Sequence, residues 1–322
     1  MLTLSESITK MVDNISVTDR QEDTITITIE NLDSYLIDEE SELYITETFT
    51  NGSWERETNI RPLDDVDVFA VLEKSKWLDE EDELPKPKTV LKNLKDYLNG
   101  IPIYEGKVSQ NRPCVTIELS KIDFDILPSF EEGEGFLIPN HDLESWTFSN
   151  PKSLTQRLDD ADVYNDYQLK SIIKAIKYWN KLNDKLIPSF QIEESAISIF
   201  DTDKFSDLEE GIRNWFNFAI DLLDKKTFKT ENKYDKGKEN VEFVKQKLNE
   251  AKNLFDDGKE TDAKQIWKEI FQKEFPTVDE EEAKRYSTLL SEGSLKISST
   301  GLLSDTVGKN ITASKGYYGE SL

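Results

Sequence analysis

A chain of 322 residues with a formal charge of −25 is long enough for two domains with cores of their own. It is also too acidic to be a general binder of nucleic-acid backbones, which needs clustered Lys and Arg. Aromatic residues at 10% argue against disorder throughout, and one Cys and one His, Cys114 and His141, leave neither a disulfide framework nor a structural zinc site. No run approaches the roughly 20 apolar residues of a membrane span, and the start lacks a signal-peptide pattern. With the lone cysteine, the expected setting is therefore a reducing cytoplasm, with no membrane partner.

In chain order, residues 1–15 carry Leu2, Leu4, Ile8, Met11, Val12 and Ile15 at helical spacing and predict a short helix. The next stretch is ambiguous. Residues 24–29 alternate Thr and Ile with period two, as a strand would. Yet Thr18 to Gln21 has the form of a capping box, and Ile25, Ile29, Leu32 and Leu36 recur at helical spacing. A strand-like run at residues 43–49 leads into Gly52-Ser53, then Arg56, Thr58 and a second strand, Asp65-Val66-Asp67-Val68-Phe69-Ala70-Val71-Leu72. Asp65 and Asp67 share one face of that strand, about 6.6 Å apart along it. So placed, they suit hard cations, which take oxygen ligands. The Gly-Ser turn lets backbone N–H groups and a hydroxyl approach a phosphate. Alone, the turn is common and the Asp pair reads as a wet strand face. Together, ahead of a strand apolar on both faces, the aspartates call for a neutralising partner.

An acidic, proline-bearing loop at residues 79–88 precedes a helix ending at Gly100, with Val90, Leu91, Leu94, Tyr97 and Leu98 on one face. Strands are predicted at residues 114–119 and 122–127, the second holding Asp123 and Asp125, and residues 133–150 read as a loop containing His141. Beyond this, helices dominate. Residues 167–182 bury Ile172, Ile173, Ile176 and Trp179 and line up Lys170, Lys174, Lys177 and Lys181 on another face. Ser189 opens the next helix in the position of an N-cap, with Phe190 as a default core residue. Ser206 to Glu209 has the form of a capping box for a helix burying Ile212, Trp215, Phe216 and Ile220. A polar, lysine-rich stretch at 225–240 shows no periodicity, helices are predicted at 241–255 and 262–271, and residues 293–322 read as a flexible tail.

Gly-Ser-x-x-Arg-x-Thr-x-Ile-Arg-Pro followed by Asp-Val-Asp-Val (residues 52–68) resembles the bacterial cGAS/DncV-like nucleotidyltransferases of the DNA polymerase β-like superfamily. The resemblance extends over roughly residues 20–276. It includes Asp125-Ile-Leu-Pro-Ser129, like the family's third carboxylate motif, Trp146-x-x-x-Asn150-Pro151, and Lys177-Tyr178-Trp179. It implies an α+β, two-lobed fold. A nucleotidyltransferase palm with a mostly antiparallel sheet and an N-terminal spine helix would span 1–160, a helical lobe 161–292 and a tail 293–322. It also decides for a helix over residues 18–36.

The implied activity is synthesis of a cyclic di- or trinucleotide second messenger from ribonucleoside triphosphates in antiphage defence. Asp65, Asp67 and Asp125 would hold two Mg²⁺ ions, with Mn²⁺ as a substitute. Gly52, Ser53, Lys177 and Ser189 would hold the triphosphate, and Phe190 would stack on a base. Asp123 reads as a surface charge and Lys170, Lys174 and Lys181 as solvated. Accessory defence proteins are the partners the resemblance implies for the tail, with Tyr317 and Tyr318 as a recognition element. Long double-stranded DNA is excluded as an activator by charge. Two other readings stay open: a nucleotidyltransferase acting on RNA or protein, and an inactive acidic scaffold of the same fold.

Overall fold

The computed structural model describes residues 2–311 except 39, 64, 112, 121, 278, 279 and 298–302, with the backbone alone described at 280–283. Two compact units divide it: residues 12–246, and residues 1–11 with 247–322.

The larger unit is built on a seven-stranded sheet. Helix α1 (Leu4–Ile15) runs into it, and α2 (Asp19–Leu36) follows. Helix wins over strand for residues 24–29. Thr18 N–H donates to Gln21 Oε1 at 3.1 Å to close the start, and Ile25, Leu32 and Leu36 are buried on one side of α2. Strand β1 (Ile45–Asn51), the short helix α3 (Gly52–Glu55) and β2 (Asp65–Leu72) come next, then α4 (Pro87–Gly100), β3 (Val108–Asn111), β4 (Cys114–Glu118), β5 (Asp123–Glu132), β6 (Gly135–Pro139) and β7 (Trp146–Ser149). The strand order is β1-β2-β5-β4-β3, with β6 continuing from β5 and β7 from β6. The β2–β5 pair is parallel and the others are antiparallel. The result is an α+β fold with an antiparallel-dominated sheet.

The period of two sorts β2 cleanly. Val66, Val68, Ala70 and Leu72 join the main core with Val90, Leu91, Leu94 and Leu98 of α4, whereas Phe69 and Val71 belong to a separate cluster with Phe136. Asp65 and Asp67 therefore share the face of Phe69 and Val71, away from the main core. On β5, Phe124, Ile126 and Phe130 are in the main core, which puts Asp123 and Asp125 on the same face as the β2 aspartates.

The sheet exceeds the sequence expectation in two places. Strand β5 runs on past Pro128, because the proline falls where β5 changes partner. Pairing with β4 ends at Ile126 and pairing with β6 begins at Phe130, so no ladder donor is missed on that side. The expected loop at 133–150 contains β6 and β7, whose short, half-exposed strands carry little hydrophobic alternation. His141 is exposed in the turn between them.

Helices α5 (Pro151–Tyr164), α6 (Leu169–Leu182), α7 (Ser189–Phe200) and α8 (Leu208–Phe218) complete the helical part of this unit. Asn150 caps α5, its side chain accepting from Ser153 N–H. Two cap assignments are corrected. The cap of α7 is Pro188, with Ser189 as its first helical residue. Asp207 caps α8 by accepting from Glu210 N–H, while the Ser206 backbone N–H donates to Glu210 Oε2. Helix α9 (Glu231–Asp256) starts ten residues earlier than its apolar periodicity suggests.

The smaller unit holds the end of α9, α10 (Glu260–Phe271) and α11 (Glu280–Ser291). Trp267, Phe271 and Phe275 stack in its core, and Leu4 N–H donates to Glu260 Oε1 at 2.6 Å. Part of the expected tail is ordered as strands: β8 (Lys296–Ile297), β9 (Leu303–Ser304) and β10 (Lys309–Asn310) form a small antiparallel sheet. Composition does not show this, because backbone pairing needs no apolar pattern over two residues. Tyr317 and Tyr318 lie outside the described residues.

Candidate active site

Strand register brings the acidic residues together. Asp65 pairs with Asp123 and Asp67 with Asp125 across the parallel β2–β5 ladder, so two local Asp-x-Asp pairs become one four-carboxylate face. On the other side, Asn51 at the end of β1 lies opposite Asp67, which brings the next residue, Gly52, over that carboxylate. Gly52 has φ +69°, and a Cβ there would stand 1.9 Å from Asp67 Oδ2. Backbone strain and collision both require glycine. Ser53 follows in α3, and the turn is fastened by Thr58 N–H donating to Ser53 O at 2.9 Å.

A cavity of about 320 Å³ opens at this corner, lined by Gly52, Ser53, Arg56, Thr58, Asn59, Asp65, Asp67, Lys177, Asn180, Lys181, Lys185, Ser189, Phe190 and Glu193, with Ile60, Pro62 and Leu63 at its edge. Seven of the eight residues expected from sequence line it. Asp125 does not. It sits beside Asp67 in the ladder and accepts a hydrogen bond from Thr116 Oγ1. Phe190 is 42% exposed, so the core-residue reading fails for it. Ser189 is exposed too, at the N-terminal turn of α7, where anions are favoured.

The lysines of α6 divide. Lys177 and Lys181, one turn apart, line this cavity, whereas Lys170 and Lys174 line another with Trp54, Glu57 and Tyr167. Lys170 is not solvated: it pairs with Glu57 at 2.8 Å and Asp159 at 2.9 Å. Burial pulls the Lys174 ammonium below its ordinary value.

The largest departure from the sequence reading is a buried ion cluster at the cavity wall. Glu193 of α7, 1% exposed, accepts from Arg56 Nε at 2.9 Å, Thr58 Oγ1 at 2.5 Å and Lys177 Nζ at 2.7 Å. Lys177 Nζ also donates to Thr58 Oγ1 at 2.8 Å. Sequence reasoning named Lys177 but not Glu193, which stands beside a second charge, Glu194, in a mixed polar and apolar run after Ser189. Two of its three partners, Arg56 and Thr58, lie more than a hundred residues away, so spacing could not expose it.

The two charged groups differ in balance. Burial, together with Asp65, Asp125 and Glu193, pushes Asp67 up to about 6, against the pull of Arg56. Burial also raises Asp123, helped by Glu118 and Asp125, and pushes the Cys114 thiol up to about 12, with Asp125 adding to it. The acidic face thus repels itself. Glu193 is held below its usual value: burial works against this, but Lys177, Arg56 and the hydrogen bond from Thr58 outweigh it.

Among the described residues, no three carboxylate, thiol or imidazole groups already stand close enough to cage an ion. The donor set nevertheless fits a hard divalent cation. All the donors are carboxylates, they converge on one face, and burial with neighbouring carboxylates raises Asp67.

This fold is that of the polymerase β-like nucleotidyltransferases. CdnC of E. coli MS115-1, solved with ATP, superposes with a TM-score of 0.69 over 85% of this chain and 99% of that one at 15% identity, and its complex with HORMA-deltaN gives 0.68. Among relatives, a probable cyclic nucleotide synthase of Bacillus cereus is 26% identical across 70% of this chain and 81% of its own length. A cyclic AMP-AMP-AMP synthase of an Acinetobacter strain is 29% identical across 42% of this chain and 40% of its own. Residues 2–162 match the Second Messenger Oligonucleotide or Dinucleotide Synthetase domain. The chain belongs to that family, the cGAS/DncV-like nucleotidyltransferases. Among the described residues no helix is long and apolar enough to cross a membrane.

Proposed function

We propose that this chain joins ribonucleoside triphosphates into a cyclic di- or trinucleotide second messenger, in the service of antiphage defence. The observation that carries the reading is the meeting, at one cavity, of a self-repelling carboxylate face and a cationic, Gly-Ser-floored wall. Asp65, Asp67 and Asp125 would hold two divalent ions, Mg²⁺ or Mn²⁺. Bound there, such ions supply charge neutralisation for the pyrophosphate and lower the pKa of the attacking hydroxyl.

The chain's own residues do the rest. The Gly52-Ser53 turn presents backbone N–H groups and a hydroxyl to the triphosphate. Lys177 balances the phosphate charge, and the Ser189 hydroxyl donates a hydrogen bond to the phosphate. Phe190 offers an exposed ring for a base. A ribose hydroxyl oxygen, giving its proton to water, then bonds to the α-phosphorus as the bond from that phosphorus to the bridging oxygen breaks and pyrophosphate leaves. Repeating the transfer on the linear product closes the ring.

A cavity of about 320 Å³ suits one nucleotide gripped at a time. The family likeness to a cyclic AMP-AMP-AMP synthase and to a structure with HORMA bound supports a ring product and accessory defence partners. The test is pyrophosphate release by the purified chain from the four ribonucleoside triphosphates. The reading predicts release that needs Mg²⁺ or Mn²⁺ and proceeds without any polymer acceptor. Release only when RNA or a protein acceptor is added would contradict it.

A further inference from the structure

We propose that Glu193 is a positioning residue for triphosphate binding, its carboxylate holding Arg56 and Lys177 in place at the cavity wall. The inference rests on the reading of the cavity as a nucleoside triphosphate site.

The geometry carries it. One carboxylate joins three segments distant in sequence: Arg56 and Thr58 after the Gly-Ser turn, Lys177 on α6, and Glu193 itself on α7. Arg56 reaches Glu193 Oε2 through both Nε and an Nη, each at 2.9 Å. Thr58 and Lys177 share Oε1. Arg56 Nη1 also donates to Asn51 Oδ1 at 3.3 Å, so the guanidinium is fixed to the end of β1 opposite Asp67. Lys177 is 7% exposed, and two of its three ammonium protons go to Thr58 and Glu193. The third is left for the cavity that Lys177 lines.

Burying three charges is expensive, and a packed apolar cluster would serve stability as well or better. What apolar residues cannot do is leave one net positive charge, rigidly aimed, in a chain whose formal charge is −25. Arg56 and Lys177 repel each other, and the carboxylate between them offsets that repulsion and favours the charged form of Lys177 beside the guanidinium. The groups facing Lys177 are Glu193 on α7, Arg56 after α3 and Lys174 on its own helix, with Asp65, Asp67, Lys181 and Lys185 around the same cavity. Burial, Arg56 and Lys174 all pull the Lys177 ammonium below its ordinary value, and Glu193 opposes them. Without Glu193, Lys177 loses its proton at lower pH, and its grip on phosphate weakens as pH rises.

The test is equilibrium binding of each of the four ribonucleoside triphosphates to the full chain, by calorimetry from about pH 6.5 to 8.5, following the tightest. Relative to wild type, Glu193→Gln should bind about tenfold more weakly at the alkaline end and much less so at the acid end. Adding Lys177→Arg, a cation that keeps its proton throughout, should flatten that pH dependence. A constant ratio to wild type across the range, or no loss at all, overturns the inference. If Glu193→Gln does not fold, Glu193→Asp decides. It keeps the charge and loses reach, and should bind about fivefold more weakly with a wild-type pH profile, whereas unchanged affinity overturns the inference. Failure of wild type to bind any of the four overturns the proposed function, and this inference with it. Binding by wild type with an indifferent Glu193→Gln overturns the inference alone.

Discussion

The carboxylate face of β2 and β5 and the ion cluster of Arg56, Thr58, Lys177 and Glu193 flank one cavity and are opposites in electrostatic design. The first gathers like charges and leaves Asp67 raised to about 6. The second pairs each charge with a partner within 3 Å. Self-repulsion does not serve stability, which is why cation binding is proposed for the acidic face. The ion cluster pairs its charges internally, and its proposed work is to hold Arg56 and Lys177 in place for the triphosphate. Substitutions on the two sides should therefore differ in kind. On the acidic side they remove activity while leaving the chain as stable or more so, and on the cluster side they weaken nucleotide binding and stability together.

The largest effect is expected from Asp67→Asn. It keeps the shape and removes the charge of a proposed metal ligand, so pyrophosphate release should fall roughly 10³-fold, about 4 kcal/mol of transition-state stabilisation. The metal-free variant should melt no lower than wild type. Activity within tenfold of wild type, or a large loss of thermal stability, would erase the contrast. Asp123→Asn, one step along the same face, should keep most activity, and an equal loss there would move the third ligand from Asp125 to Asp123.

Gly52→Ala comes next. A left-handed backbone costs about 1–2 kcal/mol for a residue with a Cβ, and that Cβ would stand 1.9 Å from Asp67 Oδ2. Both melting temperature and turnover should drop, and a variant with wild-type values in both would mean the turn shifts freely.

Lys177→Ala should raise the KM for nucleoside triphosphate by roughly tenfold to a hundredfold, the range of one or two charge-assisted hydrogen bonds. Lys170→Ala should change it little, because Lys170 faces Glu57 and Asp159 instead. Equal effects from both would make the α6 ridge a diffuse field.

The smallest effect concerns pH. Asp67 has a folded value near 6 and an ordinary value of 3.8, so its ionisation opposes folding. Without divalent ions, its contribution is fully present below 3.8 and is lost as pH rises through about 6. Mg²⁺ or Mn²⁺ should restore it at neutral pH. Melting curves taken across that window, with and without the metal, read this directly, and a flat metal-free profile that also persists in metal would contradict it.

Legibility in the sequence followed the range of the interaction. Asp65 and Asp67 are two residues apart on one strand, and Gly52-Ser53 is a contiguous turn, so pattern alone shows them. The parallel pairing that sets Asp125 beside Asp67 follows from the third motif only through a family likeness, since neither strand encodes its partner. Glu193 was invisible because its meaning lies in Arg56 and Thr58, well over a hundred residues back. The same limit hid β3, β6 and β7, four or five residues each, whose stability comes from neighbours on the sheet more than from their own composition. Helix α2 shows the converse, an alternating Thr-Ile run overridden by its buried Ile25, Leu32 and Leu36.

The central claim is that the cations gathered by the acidic face and the triphosphate held by the ion cluster meet to close a ring. Mass spectrometry of phosphatase-treated products, after incubating the purified chain with Mg²⁺ and all four ribonucleoside triphosphates, tests it most directly. The account predicts phosphatase-resistant species with the masses of cyclic di- or trinucleotides. Products that are wholly degraded to nucleosides, or that appear only as additions to an RNA or protein acceptor, would contradict it.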